Sequence, residues 1–135
     1  MRYLLDTYVV NEVSKKRPSG KVLDFLQAND AQCAVPSIVV AERFQGANLA
    51  TLERRSALLQ AVSDFCDEFN DRILPFDAKA ARTWGEYVSR AALKNKPRSY
   101  PDTQIAAIAL THGLIVVTRN TEDFPEVNVV NPFED

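Results

Sequence analysis

Leu114-Ile115-Val116-Val117-Thr118 is β-branched and apolar almost throughout, with no alternation of polar and apolar positions. A strand of this kind is buried on both faces, which happens in a parallel sheet covered by helices on either side. His112-Gly113 stands just before it, and glycine is the favoured residue past a helix C-terminus. A helix therefore feeds directly into a doubly buried strand, and the chain is constrained toward an α/β sandwich.

The rest of the chain repeats that alternation. Arg2 to Asp6 reads as a short buried strand ending in an acid, and a helix follows from about Thr7 to Lys16 with Val9, Val10 and Val13 on one side. Arg17-Pro18-Ser19-Gly20 breaks it, and Ser19 is placed to cap a helix over Lys21–Asn29. A strand is predicted over Gln32–Val35, then a helix with Ser37 as N-cap, then a helix over Leu52–Phe69 with Leu58, Leu59, Val62, Phe65 and Phe69 as its apolar stripe. Arg72–Phe76 reads as a strand and Asp77 as the cap of the helix carrying Trp84 and Tyr87. Lys94–Tyr100 reads as a basic loop, Pro101-Asp102 as the start of a helix, and Val127–Val130 as the last strand. The expected architecture is one domain, residues 1–135, with a mainly parallel sheet flanked by helices.

Several function classes drop out. Lys plus Arg number 16 and Asp plus Glu 18, for a net charge of −2, unlike a protein that coats nucleic acid. No apolar run approaches the ~20 residues that span a bilayer, and Met1–Asp6 turns acidic too soon for a signal peptide, so a cytoplasmic protein without a membrane partner is expected. Cys33 and Cys66 have no metal-ligand spacing and read as buried free thiols. His112 is the single histidine, which rules out any site needing two.

What chemistry remains is carried by acids. In open α/β sheets, sites form at the carboxyl ends of the strands. Asp6 ends the first strand, Glu42 lies in the first turns of the helix after the second, Asp102 opens the helix leading into the Leu114 strand, and Asp123 follows that strand with Asn120 nearby. Taken singly, each can be a helix cap, a turn former or a solvated side chain. Gathered on one edge, carboxylates without histidine or cysteine suit a hard cation such as Mg²⁺ or Mn²⁺. Such an ion supports attack of water on a phosphodiester and offsets charge on the phosphoryl group.

Local blocks around these acids resemble a known family. Leu4-Leu5-Asp6-Thr7, Ser37 to Glu42 as S-x-x-x-A-E, Asp102 to Ala109 as D-x-x-I-A-A-x-A, His112-Gly113-Leu114 with Thr118-Arg119-Asn120 and Asp123-Phe124, and the closing Asn131-Pro132-Phe133 are similar to the conserved blocks of PIN domains, in family order. The likeness is nearest to VapC-like toxins of toxin–antitoxin modules. It implies a PIN-like (Rossmann-like) three-layer sandwich with a mainly parallel five-stranded sheet, and Mg²⁺- or Mn²⁺-dependent endoribonuclease activity. It also implies a homodimer, a cognate antitoxin in a higher assembly, and DNA contact only through that antitoxin. Asp6, Glu42 and Asp102 match the family's metal-binding acids. The fourth place falls to Asp123, with Asn120 as a neutral ligand, and Thr118 is a candidate for orienting Asp6 or a water of the ion.

Tyr8 stands where the family has Asn, and it either stacks on a base or packs beside the site. RNA contacts are expected from Arg43, Lys94, Lys96, Arg98 and Arg119, with Lys15, Lys16 and Arg17 as a further basic cluster. Two other readings stay open: a PIN-fold RNA- or protein-binding module with weak or no catalysis, and a phosphatase- or response-regulator-like domain. The latter wants a lysine near the last strand, and none follows Arg98.

Overall fold

The structure is a computed structural model, and it describes residues 1–92 and 98–134. Those residues form a five-stranded sheet in the order β3-β2-β1-β4-β5, every neighbouring pair parallel. The strands are β1 (Tyr3–Leu5), β2 (Cys33–Pro36), β3 (Ile73–Leu74), β4 (Ile115–Val117) and β5 (Val129–Val130). The helices are α1 (Thr7–Glu12), α2 (Gly20–Asn29), α3 (Ser37–Leu49), α4 (Leu52–Phe69), α5 (Ala78–Ala92) and α6 (Tyr100–His112). The expected sandwich is what forms. No helix among the described residues is long and apolar enough to cross a membrane.

β1 is the central strand: Tyr3 and Leu4 pair with Cys33 and Ala34 on one side, and Tyr3 to Leu5 with Ile115 to Val117 on the other. Leu4, Ala34, Val35, Val116 and Val117 are wholly buried, joined in the core by Val9, Val22, Val39, Ile105 and Ile108. α6 is the most deeply buried helix, its run Thr103–Ala109 being buried at every position. A helix apolar all round belongs inside a layered core rather than on its surface. Both cysteines are free, as expected; Cys33 is buried and burial pushes its thiol up to about 11, while Cys66 is only half-buried.

Several boundaries differ from the sequence reading, among them the strands expected over Gln32–Val35, Arg72–Phe76 and Val127–Val130, and three differences at helix ends have a visible cause. α1 stops at Glu12 rather than Lys16. The Glu12 carboxylate accepts from the Ser19 amide at 2.9 Å and pairs with Lys15 at 2.9 Å, so it closes the turn into α2 instead of extending α1. Ser37 does not cap α3; Pro36 occupies the cap position, and the Ser37 hydroxyl accepts from the Phe76 amide at 3.3 Å, tying β3 to α3. α6 begins at Tyr100, one residue earlier than expected, because Ser99 is its cap and accepts from the Asp102 amide at 3.2 Å. Ser19 and Asp77 do cap α2 and α5, accepting from Val22 and Ala80.

Gly113 ends α6 with φ +66°, in the left-handed region that costs a side chain about 1 kcal/mol or more. No atom stands within 4 Å of a methyl group placed there, so the cost of Gly113→Ala is backbone strain alone. A loss of about 1 kcal/mol is expected in urea denaturation. An unchanged midpoint would mean that this turn relaxes freely.

Candidate active site

Because all five strands run the same way, their carboxyl ends lie on one edge. Asp6 leaves β1 there, Thr118 leaves β4, and α1, α3 and α6 all begin there. The edge is therefore built from four separate parts of the sequence.

Asp6 is the best-anchored of the acids. It is 2% exposed and caps α1, accepting from the Val9 amide at 3.0 Å. Its backbone continues the sheet, donating from its amide to the Val117 carbonyl at 3.1 Å. Burial pushes its carboxyl up to about 6, against the pull of the Thr118 hydroxyl and the Val9 and Tyr8 amides, and the charge of Asp102 adds to the rise. Thr118, wholly buried, thus bonds Asp6 on one side and accepts from the Asn120 amide at 3.0 Å on the other.

Asp102 is half-buried in the first turn of α6. Burial raises its carboxyl, Ser99 lowers it, the charges of Asp123 and Glu42 raise it again, and Arg98 lowers it. Asp102 is therefore the electrostatic centre of the group, feeling all three other acids. Glu42, half-buried in the second turn of α3, accepts from the Thr7 hydroxyl at 2.7 Å. Asp123 closes a single 3-10 turn, Thr121–Asp123, its amide donating to the Asn120 carbonyl at 3.0 Å.

The four acids share one electrostatic neighbourhood, yet among the described residues no three acidic, histidine or cysteine side chains stand close enough to ligate one ion together. The donor chemistry nevertheless fits a hard divalent cation. Every donor is oxygen, and burial raises the carboxyls of both Asp6 and Asp102, a cost that a bound cation would offset. Mg²⁺ typically needs only one or two carboxylates directly and keeps several waters, through which the others can act.

The remaining candidates fall at different distances from this group. Tyr8 is 55% exposed, and its amide faces Asp6. The Asn120 side chain makes no capping bond, while its backbone holds the turn that carries Asp123. Arg98 stands beside Asp102 and donates to the Glu122 carbonyl at 3.1 Å. Arg43 lies in the wall of a groove of about 510 Å³ that it shares with Thr7 and Glu42, its guanidinium 5.2 Å over the Phe65 ring and 3.3 Å from the Ser14 hydroxyl. Arg119 sits 4.6 Å over the Phe133 ring, which fits a role in holding the C-terminal segment. Lys15 is paired with Glu12, and Lys16 and Arg17 are exposed. Lys94 and Lys96 lie outside the described residues.

Two contributors escaped sequence reasoning. Thr7 was visible only as the neighbour of Asp6, and its bond to Glu42 spans 35 positions. Ser99, two residues before Pro101, carries an ordinary N-cap signal and frees Asp102 from that duty.

The chain is similar to known proteins in sequence and in fold. A family model described as PIN domain matches residues 3–130. The VapC ribonuclease Y4jK of Sinorhizobium fredii is 32% identical over 136 residues, covering 97% of each chain. Toxin FitB of Neisseria gonorrhoeae is 34% identical over 139 residues, covering 98% of this chain and 99% of its own. Among solved structures, the crystal structure of FitAcB from Neisseria gonorrhoeae superposes with a TM-score of 0.91 at 31% identity, over 98% of this chain and 99% of that one.

Proposed function

The chain belongs to the PIN-domain family, among its VapC-type ribonucleases, and from that premise we propose that it is the toxin of a toxin–antitoxin pair, a Mg²⁺- or Mn²⁺-dependent endoribonuclease that hydrolyses RNA phosphodiester bonds at the Asp6–Glu42–Asp102–Asp123 edge. The observation that carries the site is the placement of these four acids at the carboxyl edge of the parallel sheet, with the Val9 amide holding Asp6 and the Thr7 hydroxyl holding Glu42. When bound, the divalent ion would activate water and stabilise charge on the transferring phosphoryl group.

The chain's own residues do the rest. Asp6, at the end of β1, and Asp102, in the first turn of α6, are the carboxylates that would hold the ion, with Glu42 and Asp123 flanking them. Thr118 and the Val9 amide fix the Asp6 oxygens, and Thr7 fixes Glu42, so these two carboxylates need little rearrangement to act. Burial of Asp6 keeps bulk water from screening its charge. Arg98, beside Asp102, supplies positive charge on the approach for an anionic strand. A cognate antitoxin would silence this edge, and a homodimer is the expected assembly.

The test is incubation of the purified, antitoxin-free protein with total RNA, with Mg²⁺ and with EDTA. Cleavage in Mg²⁺ that stops in EDTA is expected. Equal cleavage in both would remove the metal from the reaction. No cleavage with Mg²⁺, in a protein that still binds RNA, would favour a binding module.

A further inference from the structure

The chain has 4 tyrosines, and two of them serve the core: Tyr3 packs edge-on against Phe25, and buried Tyr87 donates its hydroxyl to the Pro125 carbonyl. The other two are exposed, Tyr8 at 55% and Tyr100 at 57%. Each stands two residues from an acid of the cleft, Tyr8 after Asp6 and Tyr100 before Asp102. They lie in the first turns of α1 and α6, both of which begin at the carboxyl edge of the sheet. A single exposed ring on a surface needs no explanation. Two exposed tyrosines at the mouth of one acidic cleft are a different matter, because the helices that carry them open at the same edge of the sheet, beside Asp6 and Asp102.

We propose that Tyr8 and Tyr100 are substrate-positioning residues whose rings stack on unpaired nucleobases either side of the phosphodiester held at the acids. The inference rests on the ribonuclease reading above and adds the feature by which the cleft selects its RNA. Carboxylates and an ion engage phosphate, which every RNA offers alike. Stacking requires a base face, which a duplex hides between neighbouring pairs and a single strand presents.

Tyr100 is prepared for that role. Its ring lies 5.6 Å from Trp84 at 49°, and Trp84 is itself fixed by donating from Nε1 to the Thr103 hydroxyl at 3.0 Å. A platform ordered in advance loses little freedom when a base settles on it. The Tyr8 ring and hydroxyl have no partner among the described residues, so its face is available, while its amide stays on Asp6. Arg98, close to Asp102, supplies the cation that the strand between the two rings requires.

Trp84, the single tryptophan, lies beside Tyr100 and reports on it. In an Asp102→Asn background, chosen to keep the RNA intact, three probes are titrated while Trp84 emission is followed: a single-stranded RNA oligomer, a duplex of the same sequence, and an abasic ribose–phosphate oligomer of equal length. The single strand is expected to bind most tightly and to change the emission. Tyr8→Ala and Tyr100→Ala should each weaken it about 5- to 150-fold, the range for truncating a stacking ring, and leave the abasic oligomer unaffected. Tyr8→Phe and Tyr100→Phe should keep affinity within about twofold, because the π-face remains.

Alanine variants that bind the single strand like the parent, or that lose the abasic oligomer equally, would overturn this inference alone. The first of those results would assign the rings to a protein partner instead. Failure of all three probes to bind any of the proteins would take the ribonuclease reading down as well.

Discussion

Replacing Asp102 by Asn is expected to lower RNA cleavage by at least about 100-fold, since loss of partners that merely support a metal ligand already costs about 10- to 100-fold. Asn keeps the shape of the side chain and removes the charge that ties Asp102 to Asp6, Glu42 and Asp123. The fold should survive, because Ser99, not Asp102, caps α6. It should even gain slightly, because burial and neighbouring acids penalise the ionised carboxylate at this place. Steady-state cleavage of a defined RNA, calorimetric Mn²⁺ binding and thermal denaturation of the two proteins together test this. Full activity in the variant would remove Asp102 from the reaction; lost activity with a collapsed melting temperature would make it structural.

The second large effect is on stability against pH in the metal-free protein. Asp6 holds its proton up to about 6, against an ordinary value of 3.8, and Asp102 is raised as well. A carboxyl raised on folding binds its proton more tightly in the folded chain than in the unfolded one. Its contribution therefore favours the fold at low pH and is lost as pH climbs through about 6. For Asp6 alone the difference between pH 4 and pH 7 comes to about 2 kcal/mol.

Urea denaturation should accordingly show the metal-free protein gaining stability from pH 7 to pH 5. Asp6→Asn, which keeps an oxygen for the Val9 amide, should flatten that gain and raise stability at pH 7. Added Mg²⁺ should stabilise more at pH 7 than at pH 5, because ion and proton compete for the same oxygens. A metal-free protein that is more stable at pH 7 than at pH 5 would mean that Asp6 is not strained by its burial.

Much of this edge could be read from the chain because its parts are short and local. The β-branched run Leu114–Thr118 gave the sheet, and the acids stood beside recognisable family blocks at strand ends. Bonds that join distant segments were not legible. Ser37 looks like a cap in sequence, yet its hydroxyl serves the Phe76 amide 39 positions away. Glu12 looks like one more turn of α1, yet the Ser19 amide and Lys15 draw its carboxylate out of the helix pattern and hold it below the usual carboxylate range. Tyr8 could be placed beside Asp6 by numbering alone, but its exposure is set by the fold around it, in which its neighbours Val9 and Val10 are the buried residues.

The central strand is also the first to be made. β1 pairs Tyr3 with Ile115, near the opposite end of the chain, and Asp6 takes its backbone bond from Val117. Contacts between such distant residues form late and slowly, because the loop between them must close before any pairing rewards it. During synthesis on the ribosome, Asp6 emerges about a hundred residues before its partners Asp102 and Thr118. An unfinished chain therefore carries no assembled cleft. Such a layout leaves the cleft unassembled until the residues through Asp123 have been made.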